Sequence, residues 1–194
     1  MDQEHKHFII YKPFGYLSQF INNQRRRTNK KLLGELHDFP DGVMSVGRLD
    51  QDSEGLLLLT TNGKLSALVT GRKIEKEYYI QVDGLVTDEA LDALEKGVDI
   101  SIKGKTYRTL PAVCARVEDE PFTGERARKV RDERHGPTSW MSVCIREGKF
   151  RQVRKMAAAV GFPVLRLVRV RIGNVELSDM QIGAVQEVDH FELF

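Results

Sequence analysis

This chain has little cysteine, scattered histidine and no apolar run near the ~20 residues of a membrane span, which removes several function classes at once. Cys114 and Cys144 are its only cysteines, and both sit in alternating strand-like text, AVCARV and SVCIRE, with no neighbour at metal-ligand spacing. A core position in a reducing compartment is expected for each. The histidines (His5, His7, His37, His135, His190) are dispersed, and His5 with His7 on one terminus do not make a metal site. No glycine loop of the Walker or dinucleotide-binding type occurs, and no Ser or Cys nucleophile has an evident base. The opening MDQEHKHFIIYKP puts polar and acidic residues where a signal peptide needs an apolar core, so a cytoplasmic protein is expected.

What is present describes a packed fold. Hydrophobic residues make up 41% and charged residues 30% of the 194 positions. The net charge of +2 is too mild to announce a nucleic-acid binder, but the charge is segregated. Gln24 to Lys31 reads QRRRTNKK, and the stretch from Arg146 to Arg171 is rich in Lys and Arg with Glu147 its sole acid. Acids gather instead in VEDE and DEALDALE. Such segregation gives a basic face on a nearly neutral chain and favours a polyanionic partner.

The patterning mixes strands and short helices. HFIIYK (His7 to Lys12) reads as a strand, KLLGEL as a weak helical turn, and GLLLLT as a strand buried on both faces. Lys64 to Thr70 reads as a helix stopped by Gly71, and KEYYIQV as a strand. Thr87 can cap a helix over Asp88 to Lys96. Two or three strands follow between Val98 and Val117, broken at Lys103-Gly104-Lys105. Asp119 to Pro137 reads as an exposed loop, Thr138 to Arg146 as a strand and Arg151 to Val160 as a helix. Strands over Pro163 to Ile172 and about Val185 to Phe191 end the chain. This alternation with tight turns implies an α+β fold on a largely antiparallel sheet, divided into residues 1–72 and 73–194.

GRLDQDSEG (Gly47 to Gly55) is the densest polar cluster. Asp52 and Ser53 read as turn residues that satisfy backbone donors. Asp50 follows Leu49 at what reads as the inner end of a strand, where a carboxylate needs a compensating cation or donor. EGKFRQVRKM (Glu147 to Met156) offers cations, with Arg154 next to the apolar face of a helix and Lys155 on its outer, solvated face. The adjacent tyrosines of KEYYI must point to opposite sides of a strand. One belongs to the core, and the other suits stacking on an unpaired base. Each feature alone also has an ordinary structural explanation.

The order of YKPFGYLS, GRLDQDSEGLLLLTTNG, KEYYIQVDG and REGKFRQVRKMAAAVGFPVLRLVRVRIG resembles the RsuA-like family of ribosomal RNA pseudouridine synthases over Ile10 to Gly173. LSQF and PTSW resemble its RluE-type branch, which modifies large-subunit rRNA. The resemblance implies a pseudouridine synthase fold, with two α+β subdomains sharing a largely antiparallel mixed sheet around a central active-site cleft. It implies Asp50 as the essential aspartate, Tyr78 as the tyrosine stacking on the uracil and Arg154 as the partner of the aspartate. Arg48 would help displace the target base, Leu167 would line the pocket, and Lys76, Lys149 and Arg151 would contact the RNA.

Two departures stand out. Many family members carry His where this chain has Arg151, and Arg where it has Lys149. The family's usual S4-type RNA-binding domain is not expected, because KPFG comes almost at once. RNA would then be held by the catalytic domain, with help from Arg25, Arg26, Arg27, Lys30 and Lys31. The expected working unit is a monomer on 23S rRNA, with no metal, cofactor, membrane or obligatory protein partner. Two rivals predict different products: a non-catalytic rRNA-binding module acting in ribosome assembly, and a hydrolase using Asp50 with Glu54 as an acid/base pair.

Overall fold

A computed structural model describes residues 5–21, 30–71, 73–122, 130 and 133–194. Arg25, Arg26, Arg27 and part of the loop expected over 119–137 lie outside the described residues. The chain begins with β1 (His7–Lys12), β2 (Met44–Ser45), β3 (Glu54–Thr60) and α1 (Gly63–Thr70). It continues with β4 (Lys76–Asp83), α2 (Asp88–Glu95), β5 (Asp99–Ile102), β6 (Lys105–Arg108), β7 (Val113–Val117) and β8 (Thr138–Ile145). Then come α3 (Gln152–Ala159), β9 (Val164–Ile172), β10 (Val175–Glu176) and β11 (Val185–Val188). The architecture is α+β, as the patterning implied.

Two compact units emerge, Met1–Ile74 with Arg169–Phe194, and Glu75–Val168. The sequence division placed everything after residue 72 in one piece. The final segment instead returns to the first unit, because β11 pairs antiparallel with β1, Ile10 facing Val185 and His7 facing Val188. No local pattern encodes a pairing of chain ends.

The first unit is organised around β3. All seven of its residues are buried, and Leu56, Leu57, Leu58 and Leu59 are each 0% exposed. An apolar strand without alternation can persist only where both faces are covered. β1 runs antiparallel along it, with Ile10 opposite Leu57, and the short β2 pairs with its end at Leu59 and Thr60. Asn62 then starts α1, its side-chain oxygen accepting from the N–H groups of Lys64 (3.0 Å) and Leu65 (3.1 Å). Between β9 and β10, Gly173 has φ +56, and a Cβ there would lie 2.3 Å from the Leu193 carbonyl oxygen. Only glycine lets the C-terminal segment pack so closely.

The second unit has the antiparallel order β4–β8–β7, with α2 and α3 contributing to its core. Ile80, Val82, Met141 and Val143 meet Leu94, Val153 and Met156 there. The Thr87 hydroxyl accepts from Ala90 N–H at 3.3 Å, and Asp88 and Glu89 suit the positive end of α2. β5 and β6 form a hairpin closed by Lys103 (φ 50) and Gly104 (φ 78), the double positive φ of a two-residue turn that follows strand twist. Cys114 and Cys144 are half-buried on β7 and β8 rather than at the centre of the core. Burial pushes the Cys114 thiol up to about 12. Among the described residues, no helix is long and apolar enough to cross a membrane.

Candidate active site

The loop that carries Asp50 is held by backbone capture, not by a strand. Residues 46–53 lie between β2 and β3, so Asp50 is not at a strand end as the patterning suggested. Gly47 turns the chain with φ 69. The buried Ser18 then takes both backbone groups of Leu49: its hydroxyl donates to the Leu49 carbonyl at 2.8 Å and accepts from the Leu49 N–H at 2.9 Å. Those groups are thereby unavailable to a ladder, and the chain leaves the sheet. Gly15 N–H donates to the Gln51 carbonyl (2.8 Å), and the Gln51 amide returns a bond to the Gly15 carbonyl at 3.0 Å. Asp50 therefore sits between two anchored neighbours, half-buried, with Arg48 exposed two residues before it.

The first unit supplies its own cation beneath this loop. Lys12 is 0% exposed, and its ammonium donates to the carbonyls of Pro13 (2.9 Å) and Tyr16 (2.8 Å). Burial lowers its pKa to about 7, while the charges of Glu54, Asp52 and Asp50 oppose that drop and Arg169 adds to it. Glu54 is 1% exposed, and Arg169, 5% exposed, donates to the Leu56 carbonyl at 2.8 Å. The reading from residues alone sought a compensating cation only in the Arg-rich helix. Lys12 escaped it because a lysine closing a strand ordinarily points to water.

The second unit holds the other expected site residues. Tyr78 is half-buried on β4 and packs against the core cluster that contains Leu167, itself 4% exposed. Tyr79 points to the other face, where its ring lies 6.2 Å from Phe122. Lys76 begins β4, 8% exposed and opposite Ile145. Arg154 is half-buried on α3 beside the buried Val153 and Met156.

Lys149 and Arg151 flank Phe150 in a loop built on a buried carboxylate. Glu147, 3% exposed, accepts from the Tyr107 hydroxyl (2.5 Å), the Leu110 N–H (2.9 Å) and the Gln152 amide (2.6 Å). The Gln152 side chain also accepts from the Lys149 N–H at 2.9 Å. Glu147 and Gln152 were legible as motif letters but not as the loop's frame, since a polar residue beside cations reads as surface. Arg151 adopts φ 52 and ψ 38 at the N-cap of α3, and no acid occupies the first turn of that helix. A left-handed arginine followed by Arg154 and Lys155 at the positive end of a helix is electrostatically costly in isolation. An anion docked there relieves that cost.

Among the described residues, no group of His, Cys, Asp and Glu is arranged to hold a metal ion. Residues 6–159 match the family model described as RNA pseudouridylate synthase. The chain is 42% identical over 188 residues to the ribosomal large subunit pseudouridine synthase E of Vibrio parahaemolyticus, covering 96% of this chain and 75% of that one. It is 42% identical over 177 residues to the synonymous protein of Xanthomonas campestris, covering 90% and 91%. A solved structure described as a pseudouridylate synthase superposes with a TM-score of 0.73 at 27% identity, over 96% of this chain and 71% of that one. The ordered motifs and all three comparisons agree, and this chain belongs to the RNA pseudouridylate synthase family.

Proposed function

We propose that this isomerase converts one uridine of large-subunit (23S) ribosomal RNA to pseudouridine, with Asp50 as nucleophile. The observation that carries the assignment of Asp50 is its mounting. The residue before it has both backbone groups held by Ser18, and the residue after it is tied to Gly15. A turn whose only task was to reverse the chain would need no such anchoring.

A uridine in folded RNA shields both its sugar carbon and its base, so it is flipped out at a cost of about a few kcal/mol, least in loops. Arg48, exposed on the loop, braces the vacated space, and Tyr78 stacks on the extruded base. Asp50 attacks at the sugar or base and the N1–C1′ bond breaks. The uracil turns and rejoins C1′ through C5, the bond to Asp50 breaks and returns its carboxylate, the C5 hydrogen leaves as a proton and N1 regains one. Atoms are rearranged and none is gained or lost, so the chemistry calls for no cofactor, metal or oxidant. Arg154 offsets the charge of Asp50 in the same step, Leu167 excludes water, and Lys76, Lys149 and Arg151 take phosphates. The working unit in this reading is a single cytoplasmic chain.

Tritium release from 5-³H-uridine-labelled large-subunit rRNA tests the reading. Wild type releases tritium and Asp50→Asn does not. Arg154→Lys retains part of the activity, because it keeps the charge and loses the planar fork; wild-type turnover by Arg154→Ala would remove Arg154 from the step. No release by either wild type or Asp50→Asn, with RNA binding intact on free rRNA and ribosomal particles, supports a binding module instead.

A further inference from the structure

The second unit carries an exposed aromatic ring that neither its core nor the proposed chemistry uses. Phe150 is 66% exposed, the most exposed aromatic side chain of this unit's large hydrophobics. It is not a frayed residue. Its loop is pinned on both sides by Glu147 and Gln152, through bonds of 2.6 Å between them and 2.9 Å to Lys149 N–H. Holding a large apolar ring in water on a rigid loop costs solvation and gains no packing.

Cations surround it. The Lys155 ammonium lies 5.2 Å from the Phe150 ring centroid and donates to the Ser101 carbonyl at 2.7 Å. Lys155 therefore does not merely face solvent; it ties the ring to the β5–β6 hairpin, whose tip carries the exposed Lys103 and Lys105. Lys149 lies 5.0 Å from the Tyr107 ring centroid, so its ammonium is likewise held rather than free-swinging. A ring with one cation over it and most of its surface in water presents a face for a flat partner. Ordered cations beside it suit a backbone of phosphates.

We infer that Phe150 is a stacking platform for an unpaired RNA base flanking the modified uridine, with Lys155 and the hairpin tip taking the adjoining phosphates. The inference rests on RNA being the substrate, but not on which residue performs the chemistry. Stacking on an aromatic ring is tolerant of base identity and demands an unpaired strand. The platform would thus select how the target is presented rather than its sequence.

The test is binding of a short unpaired oligouridylate and of the same length of RNA duplex, with tritium release from rRNA measured alongside. Phe150→Ala is expected to weaken binding of the unpaired strand by about tenfold. Phe150→Trp is expected to match or exceed wild type, Phe150→Leu to resemble Phe150→Ala, and duplex binding to change little. Because the side chain is exposed, thermal unfolding of all three should follow wild type. Equal affinity of Phe150→Ala and wild type for the unpaired strand, or full rescue by leucine, overturns the proposal. So does a wild type that binds no unpaired RNA. Binding that depends on Phe150 without any pseudouridine formation would leave the platform standing and remove the catalytic reading.

Discussion

The hydroxyl of Ser18 occupies both the N–H and the C=O of Leu49, at 2.9 and 2.8 Å, and so fixes the peptide that leads into Asp50. One side chain thus replaces the two ladder bonds that Leu49 would make as a strand residue. The hydroxyl of Ser45 adds a further tie by donating to the Ser18 carbonyl at 3.0 Å.

Ser18→Ala is expected to leave two buried backbone groups of Leu49 without this partner, at a cost of about 1–3 kcal/mol in urea unfolding. The more specific effect is on turnover. With Asp50 less firmly placed, kcat should fall at least tenfold while KM for rRNA stays within about twofold. A parallel rise in KM with unchanged kcat would show that Ser18 serves RNA binding instead.

Lys12 links stability to pH. Its folded pKa of about 7 lies below the ordinary lysine value of 10.5, so between those limits the unfolded chain holds a proton that the folded chain has released. Stability from this group therefore rises with pH through that window, by at most about 1.4 kcal/mol per unit. The penalty is fully present below pH 7. Above about pH 9 the Cys114 thiol works the other way, because burial raises its folded pKa to about 12. Urea unfolding between pH 7 and 8.5 should thus show wild type gaining stability relative to Lys12→Met, and two parallel curves would refute the linkage.

Two glycines with nearly the same backbone separate strain from collision. Gly104 (φ +78) has nothing within 4 Å of an added Cβ, whereas at Gly97 (φ +79) that atom would lie 2.5 Å from the Thr109 carbonyl oxygen. Gly104→Ala should cost about 1 kcal/mol, the left-handed penalty alone. Gly97→Ala should cost about 3 kcal/mol or more, because backbone must shift where Val98 N–H meets the Thr109 hydroxyl at 2.9 Å. Equal losses in chemical denaturation would contradict the close approach.

Arg151 pays for its left-handed backbone in a way that stability and binding can distinguish. Arg151→Gly removes a strain of about 1 kcal/mol and adds a comparable unfolded-state entropy, so the unfolding free energy should change by less than about 0.5 kcal/mol. RNA affinity should nevertheless fall, and the slope of log affinity against log salt should become shallower by about one. An unchanged slope would show that Arg151 does not meet a phosphate.

Local chemistry determined much of this protein. Four consecutive leucines fitted a strand covered on both sides, Thr87 could cap the helix after it, and Lys103-Gly104 could close a tight hairpin. Period-two alternation likewise required Tyr78 and Tyr79 to part. Tertiary structure alone decided that residues 169–194 return to the first unit, that Lys12 is buried, and that Ser18 pulls GRLD out of the sheet. It also turned Glu147 and Gln152 into the frame of the loop that presents Phe150. The physical reason is range. Propensity, capping and alternation act over a few residues, whereas the partner of a buried polar group is set by whichever distant segment the packed chain brings beside it.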